Sequence, residues 1–401
     1  MTRSSTLAAS VEVSSKLAAP RLTLANFLSQ GRFRLIPMIA VLIVVWVVLE
    51  MLTHGLFLSA RNLTNLSGQV AITAVLAAGA VLVMVPGYID LSLGATVAAS
   101  AVVAAFASTV YGFGFWPTVL VTIGFGLVLG FWHAWWIAWM HVPSFIVTLA
   151  SLLAVRGVSL VITNAETISP SMDMLVISDA SLPLLASIVV LLGIWLVFSL
   201  LQWREWRAQV SAGIPASFRI LVLLPVVSIG VIAFFGMIVA ATYRGIPLPV
   251  AMVLAVVAII GGVLRYTAFG RRLYAIGGNR QAALLAGIDI RKHVTIAFAA
   301  MGALYGLAGL MLVARLSSAP PTAGQGLELN VIAAAVIGGT SLMGGRGTVA
   351  GAVIGAVLME SLANGMSLMN LPSSYQSITV GLVLLFAVYV DVRGRGSRGD
   401  D

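Results

Sequence analysis

The chain has 401 residues, 60% of them hydrophobic and 9% charged, with a mean hydropathy of +1.07. A soluble domain carries about 25% charged residues, so this chain has too few polar groups to cover a water-facing surface, and its apolar excess must meet lipid. The net charge of +9 invites a nucleic-acid reading, but the basic residues lie in short stretches between apolar runs, the pattern of loops on the inner side of a membrane, and no nucleic-acid partner is expected.

Cysteine is absent, which excludes a disulfide framework, a thiol nucleophile and a cysteine zinc site and leaves the compartment open. The stretch from Met1 to Gln30 is polar and rich in Ser and Ala, with no compact apolar core ahead of a cleavage site. It reads as a cytoplasmic tail, 1–34, and not as a removed signal peptide. Apolar runs then follow at about 36–52, 69–86, 93–110, 117–140, 144–163, 182–201, 220–241, 248–264, 294–314, 329–342, 349–368 and 376–390. Most have the roughly 20 residues that a spanning helix needs. The run at 329–342 is short and fits a tilted, broken or re-entrant helix.

Loop charges orient the runs. Arg21, Arg32 and Arg34 precede the first, and 164–181 holds Glu166, Asp173 and Asp179 with no Lys or Arg. Arg204, Arg207 and Arg219 mark 202–219 as inside, and Arg265, Arg271, Arg272, Arg280, Arg291 and Lys292 mark 265–293 most strongly. Arg393, Arg395 and Arg398 put the tail inside as well. The expectation is an all-α, polytopic transmembrane bundle of about twelve spans with broken or short helices and both termini cytoplasmic. The membrane domain is 35–391 and the C-terminal tail 392–401. No G-x-x-x-x-G-K-[ST] motif occurs, so any ATP-driven reading needs a separate ATPase.

Several motifs have both a structural and a functional reading. Gly126 and Gly130, Gly302 and Gly306, and Gly347, Gly351 and Gly355 recur every four residues, the last three assigned to one face of the penultimate helix; this spacing lets helix backbones approach closely. The dense run from Gly338 to Gly347 suits a helix break or tight re-entry. Asp90 fits an interfacial loop or N-cap, or else the lining of a polar cavity or the hold of a helix break. Glu360 and Arg156 lie inside their runs and could pair with each other or with backbone. Trp132, Trp135, Trp136 and Trp139 share a helical face, which suits an aromatic interfacial belt or a sugar-stacking wall. His133 and His141 lie nearby, but the four histidines form no ligand spacing, and neither metal binding nor histidine catalysis is expected. Between Gly278 and Gly287 a short Ala/Leu helix is expected, capped by Asn279 and stopped by Gly287. It reads as a solvated linker or as a docking helix for a cytoplasmic partner.

These stretches also carry a resemblance. N-L-T-N-L-S-G-Q at 62–69, G-Y-I-D-L-S-L-G at 87–94, V-P-S-F-I-V-T-L-A at 142–150, F-G-R-R-L-Y-A-I-G-G-N at 269–279, A-G-I at 286–288 and G-G-T-S-L-M-G-G-R-G-T at 338–348 occur in this order. Together they resemble the permease subunits of bacterial ATP-binding-cassette importers for monosaccharides, the ribose, arabinose, galactose and xylose group. An additional pair of spans around 182–241, joined by W-R-E-W-R at 203–207, and N-G-M-S-L-M at 364–369 are most similar to xylose-type members. Arg346 departs from the family pattern.

The resemblance implies a chain that is not an enzyme, works as a homodimer in the bacterial inner membrane and translocates a monosaccharide, D-xylose or another pentose. It implies a cytoplasmic tandem ATPase that binds ATP and Mg, with no cofactor in this chain, and a periplasmic sugar-binding protein that holds most of the specificity. Carried onto this chain, Arg271, Arg272, Gly278, Asn279, Arg280, Ala282, Ala283, Leu285, Gly287 and Ile288 make up the expected docking segment. Asn62, Asn65, Gln69, Asp90, Ser92, Asn330, Thr340, Ser341, Glu360 and Asn364 are candidates for the pathway or for helix breaks. The rival is an ion-coupled secondary sugar carrier, but the basic motif of that class is missing, since 87–92 holds no Lys or Arg. An integral-membrane enzyme would need paired carboxylates, clustered His or a nucleophile motif, and none is evident.

Overall fold

Lipid offers no partner to a free backbone N–H or C=O, so a chain this apolar is held to helices. The computed structural model describes residues 35–213, 217–223, 225–227, 229–230, 233, 237 and 245–396. The expected N-terminal tail lies outside these residues. Among them the strand-like pairing is two isolated bridges, Ile168 with Ala319 and Ser181 with Pro247.

In chain order the helices are α1 (Leu35–Leu52), α2 (Ala60–Met84), α3 (Leu93–Ala105), α4 (Phe115–Ala134), α5 (Ser144–Thr163), α6 (Met172–Asp179) and α7 (Leu184–Ser211). They continue with α8 (Leu248–Tyr266), α9 (Ala268–Gly278), α10 (Arg280–Leu285), α11 (Ile290–Leu316), α12 (Leu327–Ile337), α13 (Val349–Leu368) and α14 (Ser373–Gly396). α3 and α4 each end in a π-helical turn, Phe106–Val110 and Trp135–Trp139. Eight helices among the described residues are long and apolar enough to cross a membrane, and α1, α12 and α14 hold shorter apolar stretches. The expected run at 220–241 falls partly outside the described residues.

The core is built from α2, α3, α11, α12 and α13, whose Ala, Val and Gly-rich faces are buried. α4, α5, α7 and α8 surround them and turn Leu, Val, Ile and Trp outward. That arrangement inverts a soluble fold and suits a lipid surround, in which close packing and not water exclusion binds helix to helix. The glycine spacings supply this packing. A Cβ on Gly126 would lie 2.2 Å from the Gly302 carbonyl oxygen, and one on Gly130 would lie 2.3 Å from that of Phe298, so α4 and α11 touch backbone to backbone. Gly351 and Gly355 do the same against Gly338 and Ala334, each at 2.0 Å, and seat α13 on α12.

Two helices are broken. α2 ends at Met84, the stretch 85–92 is not helical, and α3 begins only at Leu93. In the same way 317–326 is non-helical ahead of α12. The 11 residues of α12 span about 16 Å, half of a hydrocarbon core of about 30 Å, so the run at 329–342 is a broken element. The two breaks meet: a Cβ on Gly94 would stand 2.1 Å from the Gly324 carbonyl oxygen and 2.3 Å from Glu328 Oε2.

Some boundaries differ from expectation. W-R-E-W-R lies inside α7, which runs on to Ser211, and is no loop between spans. Its charged side chains are good helix formers and pair along the surface: Arg265 binds Glu205 at 2.8 Å and Arg207 lies 4.4 Å over Trp203. Gly347 precedes α13, whose cap is Thr348, so it does not belong to that helix's glycine face. α6 stands in a connection that carried no helix signal beyond its acidic residues. α14 extends to Gly396, past the expected start of the tail at 392.

Candidate functional site

At one end of the bundle α9 and α10 form a bent pair. Thr267 caps α9 by accepting from Gly270 N at 3.2 Å, and Asn279 caps α10 by accepting from Ala282 N at 2.9 Å. Gly287 ends α10 with φ +74°, a left-handed conformation that glycine adopts without a Cβ penalty. The pair is seated through Leu273, Ile276 and Ala283, all buried. Ala283 therefore faces the bundle, and Ile288 is half-buried. Arg271, Arg272, Gly278, Asn279, Ala282 and Gly287 are exposed. Leu285 is 90% exposed and Leu284 55%. Two bare leucines on a six-residue helix flanked by arginines make an unfilled apolar knob. Leu284 was not singled out from the sequence because an Ala/Leu run does not reveal which leucine faces inward.

The same end is tied to the first helix break. Arg280 donates to the Tyr88 hydroxyl at 2.8 Å, and Gly345 N donates to the Val85 carbonyl at 2.8 Å. Tyr274 donates its hydroxyl to the Gly347 carbonyl at 2.8 Å, and burial raises its pKa above the ordinary value, which keeps it a donor. Thr340 and Ser341 lie in this turn. Both are buried, Ser341 Oγ accepts from Met343 N at 3.2 Å, and Thr340 Oγ1 has no hydrogen-bond partner.

Asp90 is buried, and the N-cap position of α3 belongs to Ser92. Asp90 holds the break: Oδ1 accepts from Ser92 N at 2.8 Å and from Ser92 Oγ at 2.6 Å, and Oδ2 accepts from the Tyr305 hydroxyl of α11. His133 packs edge-on to Tyr305 and Phe298 with both ring nitrogens unpaired. Tyr305 escaped the sequence reading because a tyrosine inside an apolar run counts as core.

Asn62, Asn364 and Glu360 line the contact of α2 with α13. Asn62 donates to Asn364 Oδ1 at 2.8 Å, and Asn364 donates back at 3.0 Å. Thr73 donates to Glu360 Oε1 at 2.6 Å, and Trp46 donates to Ser361 at 2.9 Å. Glu360 and Arg156 do not pair with each other: Glu360 accepts from Thr73, and Nε and Nη2 of Arg156 are buried without a partner. Gln69 and Asn330 are half-buried and join none of these pairs. Asn65 lines a polar recess of about 180 Å³ with Asp179 and Arg315. The four tryptophans stay on the outer surface, 37–53% exposed, with Trp132 against Trp136 and Trp135 stacked on Trp139. An outward aromatic belt fits this position, and an inward sugar wall does not.

This constellation has an exposed knob at one end, two broken helices inside, and hydrogen bonds that connect them. Residues 62–388 match the family described as branched-chain amino acid transport system, permease component. The xylose transport system permease protein of Haemophilus influenzae is 43% identical over 89% of this chain and 96% of its own length. That of Escherichia coli strain K12 is 42% identical over 94% and 96%. The ribose import permease protein of Bacillus subtilis is 34% identical over 86% and 89%. No solved structure matches the chain.

Proposed function

We propose that this chain, which belongs to the family of branched-chain amino acid transport system permease components, carries D-xylose or another pentose. It is the sugar permease subunit of an ATP-binding-cassette importer of the bacterial inner membrane and is not itself an enzyme. The choice of pentose is supported by identity of 42–43% over almost the whole length to proteins named for xylose transport, against 34% to one named for ribose.

In this reading the chain crosses the membrane about twelve times with both termini in the cytoplasm, as the basic loops suggest. Two copies form a homodimer, so that two docking helices meet the two nucleotide sites of a tandem ATPase that binds ATP and Mg. A periplasmic binding protein delivers the sugar. α10, with Leu284, Leu285, Arg271 and Arg272 around it, enters a groove on the ATPase. When ATP closes the ATPase, α10 moves with it and the packed spans change the side to which the pathway opens. This requires that the two states bind the partners differently.

The observation that carries the docking reading is the bare Leu284–Leu285 pair on a capped helix. Leu285→Glu places a charge where an apolar contact is expected. Burying an unpaired carboxylate costs several kcal/mol, so affinity for the ATPase falls by at least about 100-fold while insertion is unaffected. Pull-down of the ATPase with membranes of wild type and variant reads this out. Equal capture removes α10 as the docking helix.

A further inference from the structure

We infer that the non-helical strap 85–92 transmits movement from α10 to the membrane spans, with Arg280 and Tyr305 as positioning residues at its two ends. The inference rests on α10 being the docking helix. At its outer end the strap is fastened to α10 itself, since Arg280, the first residue of that helix, donates to Tyr88 at 2.8 Å. The contact there leaves no slack: a Cβ on Gly277 would stand 1.9 Å from the Val85 carbonyl oxygen and 2.5 Å from Gly345 N.

Within the next two residues after Tyr88 the strap is fastened again, now to the spans. Ile89 N donates to Ser144 Oγ at the start of α5 at 3.2 Å. Asp90 accepts from the Tyr305 hydroxyl in the middle of α11 and from both Ser92 groups just ahead of α3. A carboxylate hydrogen bond to a hydroxyl is charge-assisted, as is the Arg280 bond, and both are stronger than a neutral pair. One short segment thus connects α10 to α3, α5 and α11. The backbone bonds of the strap back to α2 end at Tyr88, whose N–H donates to the Val83 carbonyl at 3.1 Å, and with only Ile89 between them a shift of Tyr88 is passed to Asp90. Where α3 begins, Gly94 touches Gly324 and Glu328 at the start of α12, so a pull on the strap arrives where the two broken helices meet.

A second route exists through the chain itself, from α10 over Gly287 into α11. The two routes are separable, because the hydroxyl bonds of Tyr88 and Tyr305 belong to the first, while the edge-on packing of the Tyr88 ring against Phe298 of α11 is kept when only the hydroxyl is removed. Tyr88→Phe removes the acceptor of Arg280, Tyr305→Phe removes the donor to Asp90, and neither side chain lies on the docking surface. The complex of permease, ATPase and binding protein is reconstituted in vesicles, and xylose accumulated per ATP hydrolysed is measured for wild type, both single variants and the double variant. Loss of a charge-assisted hydrogen bond is worth about a factor of ten or more, so each single variant lowers the ratio about tenfold. The double variant falls no more than about twofold further, because both act on one element.

Unchanged ratios in the single variants, or losses that multiply to about 100-fold, overturn the inference. So does a proportionate fall in uptake and hydrolysis, which is the mark of a merely structural role. If Tyr305→Phe fails to insert, Ser144→Ala replaces it, since it releases the same strap at Ile89. Failure of the sugar-permease reading looks different: the wild-type complex itself shows no ATP-dependent uptake.

Discussion

Asn62 and Asn364 illustrate what a polar side chain must do inside this bundle. Each amide is buried, and each gives the other both a donor and an acceptor. Within a membrane such a bond contributes about 0.6–2 kcal/mol, while a lone buried amide costs about 1–3 kcal/mol. Asn62→Leu and Asn364→Leu should each lower stability by about 1–2 kcal/mol, and the double variant by about 1 kcal/mol less than their sum. Thermal melts of the four proteins in detergent give this cycle, and additive losses would show that the pair is no pair. At this scale the sequence revealed which residues were out of place: Glu360 and Arg156 stand inside apolar runs, and Asp90 lies between two of them. It did not reveal their partners, because the bonds of Asp90, Glu360 and Asn62 reach 215, 287 and 302 residues along the chain. For Glu360 and Arg156 pairing with each other or with backbone was open; Glu360 accepts from Thr73 on α2, and Nε and Nη2 of Arg156 are buried without a partner.

Among the elements, the α4–α11 seam depends on glycine at four positions. Gly302→Leu would put a side chain 2.4 Å from the Gly126 carbonyl oxygen, and backbone on both sides leaves nothing to yield. The expected loss is at least about 3 kcal/mol, at the upper end of overpacking costs, read as a lower melting temperature or failure to insert. Gly261→Leu, with open space around its position on α8, should be close to neutral. The i, i+4 glycine spacing was legible without a structure because it reflects one helix's own geometry, whereas the identity of the facing helix was not. α10 was legible for the same local reason, since an Asn cap and a Gly stop both act within four residues. The break at 85–92 was only half legible. Its glycine and carboxylate stood out, but the group that holds the carboxylate was not readable, since Tyr305 comes from another helix. W-R-E-W-R misled because charge was read as a loop, and long charged side chains on a helix can lie along an apolar surface instead.

For the whole molecule, composition already dictated an all-helical membrane protein, and packing decided the rest. Small residues draw α2, α3, α11 and α13 into the centre, large apolar ones face outward, and buried polar groups lie at the breaks and along the contact of α2 with α13. A cleft of about 650 Å³ between α3, α4 and α5 is lined almost wholly by apolar side chains, which suits lipid better than a sugar. The central claim is that passage of sugar through this chain is driven by an ATPase it does not contain. Uptake of labelled xylose into vesicles holding this permease, with and without the ATPase, ATP and the binding protein, measures it directly. The account predicts accumulation only when all are present. Accumulation by the permease alone, driven by a proton or sodium gradient, would contradict it.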